Sequence, residues 1–511
     1  MMTTVVEPAE SIISTGGDSV YENRTENEGD RVALTADSRE NASECLSPSS
    51  FPSRVWMKMD LIVLPVMTTM FFLSSLDRSN IGNARVAGFQ EQLGITDEQF
   101  SFALTITIIP YSFVNFPTNA LQKLLGPRLL LPSMVVLWGA VCAFQGLIKD
   151  YSGLLTCRFF LGLFEGGLLP GIVLYLSSFY PKRRLQLRIS MLLSAVSLAS
   201  AFSGLLAAAI VKMDGVSGKA GWAWLFIIEG TFTVLFGFAA FFLVPDAPTS
   251  APFFTEAEKD LIKRALHEDG IILLGEEDKN YTWTEFWRAF LQPHVILIAL
   301  CGFFNGATVS GLAYFLPSIV AGLGYAGADA QLMSVPPFVV TAILSIASSF
   351  LADRYARRGL TIVSFAIVAA IGLSIFLASY VNVVRYASLF LLVPGSFCIA
   401  PPLGAWMSNN TAPTIRRATA LALLSTMSNL GSIASAWILG ALSAPPRYTT
   451  ATAVLLAFQF GIIACATGNK LWLSSENAKR EGQRGEPGAV GPSTVQRGAQ
   501  GNDSIWYTYV L

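Results

Sequence analysis

"TNALQKLLGPRL" at residues 118–129 and "SSFLADRYARRG" at 348–359 are two versions of one loop, and where they fall decides the fold. Leu121 aligns with Leu351, Lys123 with Asp353, Gly126 with Ala356 and Arg128 with Arg358. Each follows the second member of a set of six long apolar runs. The first set lies near 57–76, 99–121, 129–148, 153–179, 188–211 and 222–244. The second lies near 293–320, 331–352, 360–380, 384–407, 417–442 and 450–473. About 20 apolar residues suffice for a helix to cross the hydrocarbon core, so each run is long enough to span. One such loop could arise by chance. Two at equivalent places predict a parallel repeat of two six-helix halves, with a binding site near the midplane between them.

The chain therefore divides into a tail (1–55), a first half (56–244), a central loop (245–292), a second half (293–474) and a further tail (475–511). Both tails are polar and are expected to be disordered. No secretory signal precedes the first run, so insertion is expected to begin with that span itself. Within the central loop, "TEAEKDLIKRAL" (255–266) places Thr255 three residues before Glu258, the pattern of a capping box at a helix start.

Composition agrees with a membrane protein. Of 511 residues, 52% are hydrophobic and only 14% charged, and mean hydropathy is +0.52. Soluble domains carry about a quarter charged residues, so this chain has too few to cover a water-facing surface. With a net charge of −1 it offers no basic face for nucleic acid. No cysteine or histidine spacing suggests a metal, and no nucleophile–base pair or phosphate loop suggests an enzyme. Cofactors are not expected; a proton gradient would be the energy source.

Orientation follows from lysine and arginine. With both termini cytosolic, the short inner loops hold Lys123, Arg128, Lys182, Arg183, Arg184, Arg188, Arg354, Arg357, Arg358, Arg416 and Arg417. The outer loops hold the smaller set Arg85, Lys149, Lys212, Lys219, Arg385 and Arg447. Cytosolic termini are expected, which keeps the sequons at Asn23, Asn41, Asn280 and Asn502 away from glycosylation.

Two clusters place charge inside the spans, where each ion costs about 2.5–3.5 kcal/mol on insertion scales. "LDRSNIGNA" (76–84) carries Asp77, Arg78, Asn80 and Asn83. It reads either as a solvated outer loop or as two further turns of the first helix, which would bring Asp77 and Arg78 into an enclosed chamber. "CRFFLGLFEGGLLPG" (157–171) carries Arg158 and Glu165, two helical turns apart on one face. A structural ion pair is the alternative there. If one acid takes a proton, the set becomes positive and attracts an anion. At an effective dielectric of 20, unit charges 4 Å apart interact by about 4 kcal/mol, enough to couple the two events. Asn115, Asn305, Tyr314, Asn410 and Asn429 could line the same chamber or form interhelical hydrogen bonds. Prolines 65, 110, 117, 170, 336, 337 and 402 are expected to kink helices.

The paired loops resemble the G-x-L-a-D-R-x-G-R-R pattern of the major facilitator superfamily. The first copy has Asn119 and Lys123 where the pattern has glycine and aspartate, and the second has Ser349 and Ala356 at its glycine positions. "LDRSNIGNA", "RFFLGLFEGGLLPGIVLYLSSFYPKRR" (158–184), "GWAWLFIIEG" (221–230), "YFLPSIV" (314–320) and "APPRY" (444–448) are similar to the anion:cation symporter family. The likeness is strongest to its fungal allantoate permease branch, which includes nicotinate, pantothenate and allantoate permeases. The resemblance implies an all-α fold of twelve transmembrane helices importing a small organic anion by proton symport, with a nicotinate-like monocarboxylate as the substrate. It assigns the carboxylate to Arg78, with Arg158 as charge partner, and proton coupling to Asp77 and Glu165. Asn80, Asn115, Asn305, Tyr314 and Asn429 complete the expected binding set. Gating is expected at Asp353, Arg354, Arg357 and Arg358, which could equally be a topology anchor. A monomer in the plasma membrane is expected.

Two other functions stay open. A proton-antiport exporter is disfavoured by "SAVSLASAFSGLLAAAI" (194–210), which has Gly204 but not the proline that superfamily exporters carry there. A sensor that binds without transporting would use the same residues.

Overall fold

In the computed structural model, residues 53–180, 182–268, 287–288, 290–355, 357–412, 414–443, 447–484 and 506–510 are described. Residues Met1–Met57 and Lys58–Leu511 are separate compact units. Of the first, only 53–57, the opening of the first helix, are described.

The first half holds α1 (Ser53–Val86), α2 (Asp97–Leu125), α3 (Pro127–Gln145), α4 (Tyr151–Glu165 and Leu168–Phe179), α5 (Lys182–Ile210) and α6 (Gly221–Leu243). The second holds α7 (Pro293–Ala321), α8 (Ala328–Tyr355), α9 (Arg358–Ala378), α10 (Asn382–Phe397 and Ala400–Asn409), α11 (Thr414–Gly440) and α12 (Thr449–Arg484). Eleven described helices are long and apolar enough to cross a membrane, and α2 completes twelve. The face where α1 begins and α12 ends is the terminal face; the opposite one is distal.

Local chemistry sets the boundaries. Thr96 opens α2 with a capping box closed by Gln99, and Asp150 caps α4 through the Gly153 amide at 2.8 Å. Helix α1 runs on through "SNIGNARV" to Val86, the extended form of the two read from sequence. In the loop helix Glu256–Glu268, the expected Thr255–Glu258 box forms. Its glutamate also meets Lys58 at 3.0 Å. The Thr255 amide, with Lys58 behind it, holds the Glu258 carboxyl below its ordinary range.

Two helices are broken, and they are the fourth of each half. Pro170 has no N–H for the Gly166 carbonyl, and α4 is interrupted after Glu165. Pro401 and Pro402 likewise fail the carbonyls of Phe397 and Cys398, and α10 is interrupted there. Gly- and Pro-interrupted spans at matching places in a repeat point to the binding site.

Hydrogen bonds join the halves from the distal face to about mid-span. Gln331 Nε2 donates to the Asn83 carbonyl at 3.2 Å, and Ser101 Oγ to the Ala436 carbonyl at 2.9 Å. Trp437 Nε1 donates to Thr105 Oγ1 at 3.1 Å and Asn429 Nδ2 to Ser112 Oγ at 2.9 Å. Ser194 and Ser345 hydroxyls lie 3.3 Å apart.

Three expectations need correction or placing. The tail assigned to 475–511 is ordered in part: α12 continues to Arg484, and residues 506–510 pack on the second half. Composition alone hid this, because a short aromatic segment follows a long polar one. The tail over 1–52 and the central loop over 269–286 lie outside the described residues. So do the side chains of Lys123, Lys182, Arg183, Arg184, Asp353 and Arg354.

Within the second half, α7 and α11 touch backbone to backbone: a Cβ at Gly306 would land on Ser428, and one at Gly431 on Phe303. Gly306→Val is therefore expected to lower the melting temperature of the purified protein by several degrees or prevent folding. Gly404→Ala, where nothing lies within 4 Å, should melt like the wild type. Equal melting of the two variants in detergent would contradict this packing.

Candidate functional site

Residues four apart on a helix share a face, and neighbours point about 100° apart. That rule sorts the polar residues of α1 into three directions. Ser74 and Arg78 face α4. Asp77 faces α3. Asn80 and Asn83 face α5.

In the first direction, Arg78 Nε lies 3.1 Å from Glu165 Oε1. Ser74 Oγ donates to the same oxygen at 2.5 Å, and Arg78 Nη2 reaches Ser74 Oγ at 3.5 Å. Glu165 is fully buried, whereas the Arg78 side chain keeps 27% exposure. The guanidinium carbon lies 5.5 Å from the centre of the Tyr111 ring on α2. It is also within electrostatic reach of Tyr314 on α7, a residue of the other half. Gly82 permits that approach, since a Cβ there would strike the Tyr314 carbonyl. Arg78 thus has its carboxylate partner on one side, two tyrosines around the rest, and part of its side chain still exposed.

Asp77 leaves α1 in a different direction from Arg78, toward α3, and lies within electrostatic reach of Glu165 and Arg158. It is 1% exposed. Trp138 Nε1 donates to its Oδ2 at 2.9 Å and Cys142 Sγ lies 3.5 Å from its Oδ1. Arg158 and Glu165 are both buried on one face of α4, but the ion pair of Glu165 is with Arg78 and not with Arg158. The Arg158 guanidinium carbon lies 5.9 Å from the Phe226 ring centre. Its Nε and Nη2 are buried with no hydrogen-bond partner. Tyr314 is within its electrostatic reach as well.

Asn80 points elsewhere: its Oδ1 accepts from Ser203 Oγ at 2.6 Å, and Asn83 Nδ2 donates to the same hydroxyl at 2.7 Å. That arrangement ties α1 to α5. Asn115 is half-buried, one turn beyond Tyr111 on α2. Asn305 is buried, with an unpartnered carbonyl oxygen. Asn429 pairs with Ser112 across the halves. Asn410 is given over to residue 510 and is far from this set in role. In the loop after α8, Arg357 is exposed and Arg358 Nη1 donates to the Ala405 carbonyl at 2.7 Å.

Sequence reasoning missed Ser74, Tyr111, Trp138 and Glu229. Ser74 was findable, four residues before Arg78. Glu229, inside the apolar "GWAWLFIIEG", was open to the same test that singled out Glu165. It is 4% exposed, and neither carboxylate oxygen has a hydrogen-bond partner. Asp77 and Cys142 lie within its electrostatic reach. Tyr111 and Trp138 carried no local signal. No group of three or more His, Cys, Asp or Glu suited to a metal occurs among the described residues.

The family model of the Major Facilitator Superfamily matches residues 67–490. The chain is 33% identical over 425 residues to an uncharacterised transporter of Schizosaccharomyces pombe, covering 83% of this chain and 84% of the other. It is 31% identical over 474 residues to the high-affinity nicotinic acid transporter of Saccharomyces cerevisiae, covering 91% and 87%. Its fold is similar to a bacterial homologue of the human lysosomal transporter Spinster in an inward-facing, unoccupied conformation. That match has a TM-score of 0.60 at 15% identity and covers 80% of this chain and 96% of the other.

Removing one partner of a buried pair leaves an uncompensated charge. Arg78→Met strands the fully buried Glu165 and is expected to cost about 3–5 kcal/mol. Glu165→Gln keeps Ser74 as a partner and leaves only a part-exposed cation, so it should cost less. The double variant should recover much of the Arg78→Met loss, which melting curves of the three proteins would measure. A double variant no more stable than Arg78→Met would mean that the pair does not act as one.

Proposed function

The chain belongs to the major facilitator superfamily of transporters, and we propose that it imports a small organic anion by proton symport. A nicotinate-like monocarboxylate is the best candidate. The observation that carries the reading is the part-exposed Arg78: paired with the buried Glu165 of its own half and flanked by Tyr111 and, from the other half, Tyr314.

The charge count supports coupling. The buried set of the first half holds two cations, Arg78 and Arg158, against three acids, Asp77, Glu165 and Glu229. One proton makes that set neutral. A monoanion arriving beside Arg78 unbalances it again, and one further proton restores neutrality. Charge is costly to leave uncompensated away from water, so anion and proton are favoured to enter together. Glu165 is the acid best placed to respond, because it and the substrate carboxylate compete for one guanidinium. Asp77 and Glu229 then act as the background charge against which that competition is set.

Alternating access follows from the architecture. Arg78, Glu165 and Tyr111 belong to one half and Tyr314 and Asn429 to the other, so an occupant touches both. Rocking of the halves would move it from one face to the other, with Asp353, Arg354, Arg357 and Arg358 gating the terminal face. Cytosolic termini, a plasma-membrane location and a working monomer complete the proposal, which places the protein with the allantoate permease branch. The 31% identity to a nicotinic acid transporter favours a pyridine carboxylate as the substrate.

The test is uptake of radiolabelled nicotinate, pantothenate, allantoate and biotin in a host lacking its own permeases, with and without a protonophore. At least one carboxylate should accumulate, and the protonophore should abolish that accumulation. Arg78→Ala should abolish uptake with surface expression retained; wild-type uptake in that variant would remove Arg78 from the site. Glu165→Gln should lose accumulation against a gradient and keep counterflow. Unchanged response of that variant to the pH gradient would sink its coupling role.

A further inference from the structure

Residues Trp506–Val510 lie against the terminal face of the second half, and the manner of their docking is that of a bound peptide. Val510 N donates to Asn410 Oδ1 at 2.7 Å, and Asn410 Nδ2 donates to the Val510 carbonyl at 2.9 Å. Asn477 treats Tyr509 the same way, at 2.9 Å in both directions. Two side-chain amides, one from the end of α10 and one from α12, each satisfy the N–H and C=O of one residue. This is the pairing that a neighbouring strand would supply, made by side chains instead.

A side-chain pocket adds selectivity. Tyr509 is 5% exposed, with its ring 5.6 Å from His294 and 5.9 Å from Trp472. Arg480 lies 4.6 Å over that ring and donates to its hydroxyl at 3.1 Å. The segment is thus held by its backbone at two residues and by one aromatic anchor, the usual division between affinity and specificity in strand-like recognition.

What the segment grips matters for the loop after α8. Trp406 Nε1 donates to the Val510 carbonyl at 2.9 Å. The residue before it, Ala405, supplies the carbonyl that anchors Arg358. Trp406 is fully buried, and its ring would meet a Cβ on Gly359 at 3.0 Å. The start of α9 and the end of α10 are therefore tied to each other and, through one indole, to the segment.

We infer that the second half carries a peptide-reading groove built from Asn410, Asn477 and the Tyr509 pocket, occupied in cis by residues 506–510. The segment acts as a removable strap that firms the α9–α10 corner holding Arg358. Because the segment belongs to the same chain, it meets the groove as an intramolecular partner and competes strongly with any free peptide. This inference does not depend on whether the protein imports or exports.

The experiment uses a fluorescein-labelled peptide of residues 501–511 (GNDSIWYTYVL) and purified protein in nanodiscs. A variant truncated after residue 504 should bind the peptide saturably. The full chain should bind it at least tenfold more weakly, because its own segment competes. Asn410→Ala with Asn477→Ala in the truncated chain should lose at least tenfold. Hydrogen exchange at 403–410 should rise on truncation and fall again with peptide. Equal peptide binding by full and truncated chains, or none by the truncated one with exchange unchanged, overturns the groove. If truncation prevents folding, Asn477→Ala in the full chain decides: amide exchange at Tyr509 and Val510 should rise at least tenfold, and no change overturns the inference.

Discussion

A guanidinium and a carboxylate facing each other inside the bundle, Arg78 against Glu165, set the terms for everything around them. Neither ion could sit there alone, since removing a partner strands a charge away from water. The two ions are unequally covered: Glu165 is fully buried, whereas Arg78 keeps part of its side chain exposed. The surroundings follow from that requirement. Ser74 steadies Glu165, Tyr111 lends the cation a π face, and Gly82 lets α7 come close enough to bring Tyr314 within range.

The breaks in α4 and α10 belong to the same design. The α4 interruption begins directly after Glu165, and the α10 interruption occupies the matching place in the other half. A broken helix exposes backbone polar groups that a continuous one hides, so it is tolerated where protein or water can meet them. That the two halves share the defect, while their side chains differ, says the repeat preserves geometry and leaves chemistry to each half. Charge is concentrated in the first half; from the second, Tyr314 comes within reach of Arg78 and Asn429 bonds to Ser112.

Much of this was legible in the sequence. The doubled loop and the six-plus-six spacing gave the fold, and intramembrane charge gave Arg78, Arg158 and Glu165. The extension of α1 was one of two readings, and the Thr255–Glu258 box was explicit. Asp77 and Arg78 were read together from the "LDRSNIGNA" segment; a helix turns neighbours about 100° apart, so they meet different partners, Trp138 and Glu165. Trp138 and Cys142, which hold Asp77, could not be found, because an indole in an apolar run says nothing about what it faces. Glu229 satisfied a rule that had already been applied elsewhere. The docked Trp506–Val510 segment was hidden by averaging: its aromatic residues are plain, but their receptor is assembled from three helices distant in sequence.

Helix α2 presents Tyr111 to the guanidinium and the very next residue, Ser112, to Asn429 of the opposite half. The residue that meets Arg78 and the residue that bonds across the halves are therefore joined by a single peptide bond. A twist of that one turn would move both contacts at once, which makes the surroundings of the buried ion pair and the seam between the halves mechanically a single feature.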